Sequence, residues 1–156
     1  LNVANIFPIE EIETIHIFDK CFAVGASLGH PPIATEGHIS YMDDEIDHYK
    51  YWMSTAQTIF GNSGGSVYRW SGRRKKYEYV GIPSRISIQA MGFGADAITH
   101  MGYFIPIDRI YKLLATNDYQ FIYDISFDIK DCEKARKLKQ EIKRGGNSSD
   151  SNDSDK

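Results

Sequence analysis

The sequence predicts an all-β fold, a small antiparallel barrel closed by one short helix, with a further helix near the C-terminus. Two observations carry that reading. Tyrosine (10 residues) and phenylalanine (8 residues) are plentiful and recur in short alternating apolar segments, the pattern of half-buried strands. Those segments are cut by Gly, Pro, Asn and Asp clusters up to residue 105, where a helical pattern led by a proline begins.

The segments follow in order. Residues 20–26 form an apolar strand, broken by Gly29-His30-Pro31-Pro32, and residues 34–42 resume it. Asp43-Asp44-Glu45 reads as an acidic loop, and residues 49–57 as the next strand. After a glycine-rich break, residues 65–70 and 77–82 form two strands joined by the hairpin tip Ser71-Gly72-Arg73-Arg74-Lys75-Lys76. In residues 84–91, Ile86, Ile88 and Ala90 alternate with Arg85, Ser87 and Gln89; a glycine loop at 92–96 and a last strand at 102–105 follow. Residues 106–114 read as a helix with Pro106 in its first turn. Beyond these, 117–144 is expected to add a strand at 119–127 and a basic amphipathic helix with Cys132, Ala135, Leu138 and Ile142 on one face. Residues 145–156 carry no apolar side chain and are expected to be disordered.

Composition bounds the function. With 156 residues, 42% hydrophobic and 25% charged, the chain is long enough for one domain with its own core. A net charge of -3 makes no global case for nucleic acid as a partner. No apolar run approaches the roughly 20 residues of a bilayer span, and no signal-peptide pattern opens the chain, which begins at Leu1. Cys21 sits in an apolar run and Cys132 in a charged helix, with no C-x-x-C. The histidines, at 16, 30, 38, 48 and 100, are scattered, so neither a metal site nor a cofactor is expected.

The informative stretch is Gly61-Asn62-Ser63-Gly64-Gly65, set where an apolar strand breaks and restarts. By itself it serves equally as a tight turn or as a loop presenting a nucleophile. A phosphate cradle does not fit, since no Lys-Ser/Thr pair follows the glycines.

The order of the pieces resembles the C-terminal half of the trypsin-like serine peptidases of the HtrA/DegP type. Phe22-Ala23-Val24-Gly25-Ala26 with Gly29, Thr35-Glu36-Gly37-His38-Ile39-Ser40, the loop at 61–65, Val80-Gly81-Ile82, and Gly102-Tyr103-Phe104-Ile105-Pro106-Ile107 match that family's segments in sequence order. The match covers residues 20–114, and departs mildly at Ser66, where most such enzymes have proline.

The resemblance implies a Greek-key barrel over residues 1–116, the C-terminal barrel of a peptidase domain. It implies Ser63 as nucleophile and the backbone N–H groups of Gly61 and Ser63 as the oxyanion hole. Gln57, Thr58, Pro83, Ser84, Arg85 and Gly102 are implied to line the S1 pocket. Neither pocket wall holds an aspartate and Gly102 leaves room, so a neutral, apolar or medium-sized side chain is expected there.

The general base and its orienting carboxylate come, in that family, from the first barrel, and none of the five histidines occupies a matching position. Residues 1–6 resemble the strand directly after the family's aspartate. The expected partners are therefore a polypeptide substrate and an N-terminal barrel upstream. The apolar flank of residues 1–26, which that barrel would cover, makes self-association of the isolated chain an expectation. The competing reading is a non-catalytic module that keeps the peptidase fold as a binding or structural device.

Overall fold

The structure, a computed structural model, describes residues 4–91 and 94–146 and divides into two units, Leu1–Ile110 and Tyr111–Lys156. The first unit holds seven strands: β1 (Asn5–Ile6), β2 (Lys20–Gly25), β3 (Ile33–Ile46), β4 (Tyr49–Ser54), β5 (Ser66–Ser71), β6 (Lys76–Met91) and β7 (Gly94–Pro106). They form one sheet in the order β1-β6-β5-β2-β3-β4-β7, with β6 also pairing with β7. A helix, α1 (Ile107–Thr116), follows β7 and buries Ile107 and Ile110.

The fold is thus mostly β, but the expected antiparallel Greek-key barrel is corrected to a seven-stranded mixed sheet. Two causes are visible. The two-residue β1 pairs in parallel with β6, Asn5 beside Glu78 and Ile6 beside Tyr79, and a strand that short carries no periodicity from which direction could be read. The far half of the β6–β7 hairpin, from Ser87 against Ile98 to Met91 against Gly94, pairs with no third strand among the described residues.

Smaller differences have local reasons. Asp43, Asp44 and Glu45 lie within β3, not in a loop. The register shifts between Tyr41 and Asp44, and Asp43, at φ 60°, accepts a hydrogen bond from Trp52 Nε1 at 3.2 Å, so the acidic run is a bulge. The actual turn is Asp47-His48, a two-residue hairpin loop with both φ values positive, 52° and 64°. The readings at 77–82 and 84–91 merge into β6, and the strand at 102–105 is the end of the longer β7. The glycine loop read at 92–96 falls partly outside the described residues, and β7 has already begun at Gly94.

Alternation along the strands builds the core. Cys21 and Ala23 of β2, Ile39 of β3, Val67 of β5, Val80 of β6 and Phe104 of β7 are all buried. Trp52 of β4 meets Phe104 edge-on with ring centroids 6.0 Å apart. Burial pushes the Cys21 thiol up to about 11, which leaves it an inert core residue.

The N-terminal segment is fastened by charge. After β1, a 3₁₀ turn at Ile9–Thr14 brings Glu11 to Arg73 and Arg74 at the β5–β6 tip. Arg74 also holds the carboxylate of Glu78, which is 1% exposed, through two guanidinium contacts. The Arg74 and Arg73 donors hold the Glu11 carboxyl below the usual carboxylate range. Phe7 is buried, with the guanidiniums of Arg69 and Arg74 over its ring, 5.7 and 5.9 Å from the ring centre. The expected apolar flank at 1–26 is therefore mostly internal: Phe7, Ile15, Cys21 and Ala23 are buried, and Ile17 and Phe18 are the large side chains left exposed there among the described residues.

In the second unit, residues 119–127 contain a 3₁₀ turn at Gln120–Ile122 rather than a strand. The aromatic residues that suggested one are used for stacking. Arg136 of α2 (Ile129–Gly146) lies 4.3 Å from the Tyr119 ring centre and 5.6 Å from that of Phe121. Lys139 pairs with Asp118 at 2.6 Å. Of the expected apolar stripe on α2, Cys132 is buried while Leu138 and Ile142 are exposed, so the helix docks by its first turns. The segment expected to be disordered lies, from residue 147 on, outside the described residues. Among the described residues no helix is long and apolar enough to cross a membrane.

Candidate active site

The loop at 58–65 joins β4 to β5 and is shaped by close backbone approaches. Gly61 sits at φ +98°, and a Cβ there would stand 2.4 Å from the Ala26 carbonyl oxygen and 2.8 Å from the Leu28 nitrogen. Only glycine tolerates both the left-handed backbone and that contact. The neighbouring turn at 26–29 is tied in by Leu28, whose N–H donates to the Phe60 carbonyl at 2.8 Å.

Asn62, 2% exposed, is the internal brace. Its Oδ1 accepts from the Ser27 hydroxyl at 2.6 Å and from the Ile59 N–H at 3.2 Å, and its carbonyl accepts from the Gly65 N–H at 3.0 Å. A turn residue in the sequence is thus a buried acceptor in the fold. Replacing it with alanine strands the buried Ser27 hydroxyl, at about 1–3 kcal/mol, and the part-buried Ile59 N–H, at somewhat less. Asn62→Ala is therefore expected to lower the melting temperature by about 10 °C or more, whereas Ser27→Ala removes one neutral bond and costs only a few degrees. Equal thermal shifts for the two variants would show that Asn62 is not the brace.

Ser63 stands next to this brace with its side chain exposed. The loop is hooked to β6 by two bonds: the Gly64 N–H donates to the Pro83 carbonyl at 3.0 Å, and the Ser63 hydroxyl donates to the Ser84 carbonyl at 3.3 Å. A bulge makes the second possible. Pro83 pairs with Phe104 and Arg85 with Tyr103, so Ser84 is the extra residue, with its backbone turned off the β7 ladder. The N–H groups of Gly61 and Ser63 have no backbone acceptor among the described residues.

A cavity of about 290 Å³ opens beside Ser63. Thr58, Ile59 and Phe60 line it from the loop, and Pro83, Ser84, Arg85, Ile86 and Ile88 from β6. Arg85 is held at its rim by Asp47 at 2.8 Å and lies 5.2 Å from the Tyr51 ring centre; the Asp47 bond pushes its pKa further up.

Of the residues expected to line a pocket, the structure brings Thr58, Pro83, Ser84 and Arg85 together with Ser63 and leaves out Gln57 and Gly102. Gln57 is exposed, its carbonyl accepting from Thr35 Oγ1 at 2.8 Å. The room expected at Gly102 is already filled: a Cβ there would lie 2.0 Å from Thr58 Oγ1. Sequence reading missed Asn62 and Ser27, whose contact spans 35 positions, and the apolar wall of Ile59, Phe60, Ile86 and Ile88. For the two isoleucines of β6 the period-two pattern was the available signal. No histidine or carboxylate hydrogen-bonds the Ser63 hydroxyl among the described residues.

The sheet, its closing helix and this loop together have the trypsin-like peptidase fold of the HtrA type. The solved structure "HtrA-type protease AlgW with decapeptide" matches with a TM-score of 0.58 and 21% identity, over 73% of this chain and 32% of that one. "HtrA-type protease AlgW with tripeptide" matches at 0.57 and 20%, over 76% and 36%. At such identity the likeness is one of fold, and the chain spans about a third of the length of these proteins. No protein-family model matches the chain, and no curated protein does.

Proposed function

We propose that this chain is the part of a serine endopeptidase that carries the nucleophile, the oxyanion donors and the pocket for the substrate residue before the scissile bond. One observation carries the reading: the exposed hydroxyl of Ser63 sits at the mouth of a largely apolar cavity, on a loop fixed by a buried asparagine and a left-handed glycine. The peptide-bound AlgW structures are consistent with a polypeptide as substrate.

In the proposed reaction Ser63 Oγ attacks the peptide carbonyl carbon, forming the C–O bond as its proton passes to a base. The negative charge on the carbonyl oxygen is received by the N–H groups of Gly61 and Ser63. Collapse breaks the C–N bond and the base returns the proton to the leaving amine, after which water hydrolyses the acyl-enzyme by the same route. In this reading the base and its orienting carboxylate lie outside these residues, on a first barrel that is the chain's principal partner.

One observation favours the non-catalytic alternative: the partner of the Ser63 hydroxyl is a carbonyl, which cannot take its proton. A fluorophosphonate probe separates the two. On the whole protein it is expected to add one phosphonyl group at Ser63, read by peptide mass mapping. An unlabelled Ser63 in folded whole protein would leave the binding-module reading standing.

A further inference from the structure

We propose that Leu28 is a specificity-determining residue on the leaving-group side of Ser63, selecting substrates that carry an apolar side chain within the first two residues after the scissile bond. This deepens the peptidase reading and rests on it.

The loop that carries Ser63 is held from two sides. On one, Gly64 and Ser63 donate to the carbonyls of Pro83 and Ser84, and the cavity is lined from the loop and from β6. On the other lies the turn at 26–29, where the Ser27 hydroxyl donates to Asn62 Oδ1 at 2.6 Å and the Leu28 N–H to the Phe60 carbonyl at 2.8 Å. This turn gives no residue to the cavity wall. It abuts Gly61 instead, where a Cβ would stand 2.8 Å from the Leu28 nitrogen. In the proposed reaction the carbonyl oxygen rests between the N–H groups of Gly61 and Ser63, and the side chain before the bond enters the cavity on the β6 side. The peptide beyond the bond then leaves past Gly61, over Leu28.

The backbone of Leu28 is the second observation. Its φ of 51° is left-handed, a conformation that is costly for a bulky apolar residue and that glycine or asparagine adopts more readily. The turn itself closes through backbone bonds alone, from the Gly29 N–H to the Ala26 carbonyl at 3.1 Å and from the His30 N–H to the Ser27 carbonyl at 3.0 Å. Nothing in those bonds requires a leucine. Nor does packing offset the strain, since Leu28 is 66% exposed. Phe60, whose carbonyl holds Leu28 in place, is 63% exposed, so both residues offer apolar surface beside Gly61. Strain kept at an exposed apolar residue next to a reacting group is what a substrate-contacting position shows. An apolar substrate side chain lying on Leu28 takes that surface out of water, and a polar one does not.

The test uses two peptide series with the same residues before the scissile bond, assayed with the whole protein. In one the first residue after the bond is Leu or Ser, in the other the second is; an ester of the same acyl part, with no residue beyond the bond, is the reference. Wild type is expected to favour Leu over Ser by about tenfold in kcat/KM in at least one series. Leu28→Asn suits the left-handed backbone and keeps the N–H that Phe60 holds, so its melting temperature is expected not to fall. It is expected to bring the Leu/Ser ratio to about one and to lower the ratio of Leu peptide to ester about tenfold. A Leu/Ser ratio near one for wild type in both series, or one that survives Leu28→Asn, overturns the role of Leu28 alone. So does an equal fall for peptide and ester, which a merely structural residue would give. Absence of hydrolysis of every peptide overturns it together with the peptidase reading.

Discussion

Ser63→Ala is expected to reduce peptide hydrolysis by the whole protein about a million-fold while leaving its melting temperature unchanged. The magnitude is that of removing a nucleophile from an intact triad, after which only binding and oxyanion stabilisation remain. The unchanged stability follows from this structure. The side chain is exposed, and its hydrogen bond to the Ser84 carbonyl is 3.3 Å long; surface changes of that kind stay within about 0.5 kcal/mol. A pairing of full activity loss with no thermal shift is what a nucleophile gives and a structural serine does not. Retained hydrolysis by the alanine variant would falsify the assignment.

Gly61→Val is expected to cut turnover by about two to three orders of magnitude and to destabilise the fold as well. Valine would have to adopt φ +98° and place its Cβ against the Ala26 carbonyl at 2.4 Å, with backbone rather than a yielding side chain on the other side. The loop is expected to move instead, carrying the Gly61 N–H away from where the proposed oxyanion would form. Overpacking of this kind costs about 1–3 kcal/mol, so a fall of roughly 10 °C in melting temperature is expected by calorimetry. Gly64 provides the control: it too has a positive φ, +81°, but nothing lies within 4 Å of a Cβ there. Gly64→Val should therefore show the backbone strain without the collision. Equal losses for both variants would mean that contact with Ala26 does not matter.

What the sequence made legible was what is local. The glycines at 61, 64 and 65 announce a tight loop around Ser63, and the tip at 71–76 announces its hairpin, because turn chemistry is written in consecutive residues. The hairpin at Asp47-His48 escaped notice because its two left-handed positions are held by residues other than glycine or asparagine. The aromatic run at 119–127 has strand composition, yet Tyr119 and Phe121 serve as a platform for Arg136, a contact no pattern of spacing encodes. The same holds at the site. That Asn62 is buried depends on Ser27, and that Gly102 leaves no space depends on Thr58; both pairs are distant in sequence and adjacent in the fold.

The bulge at Ser84 makes the length of β6 as consequential as its composition. Ser84 stands between two residues that have partners on β7 and has none itself, and the bulge is what leaves its carbonyl free for the Ser63 hydroxyl. Taking it out would set Arg85 directly after Pro83 in a regular ladder, with the pairings to Phe104 and Tyr103 kept. The sheet would lose nothing. The loop that carries Ser63 would lose one of its two moorings to β6.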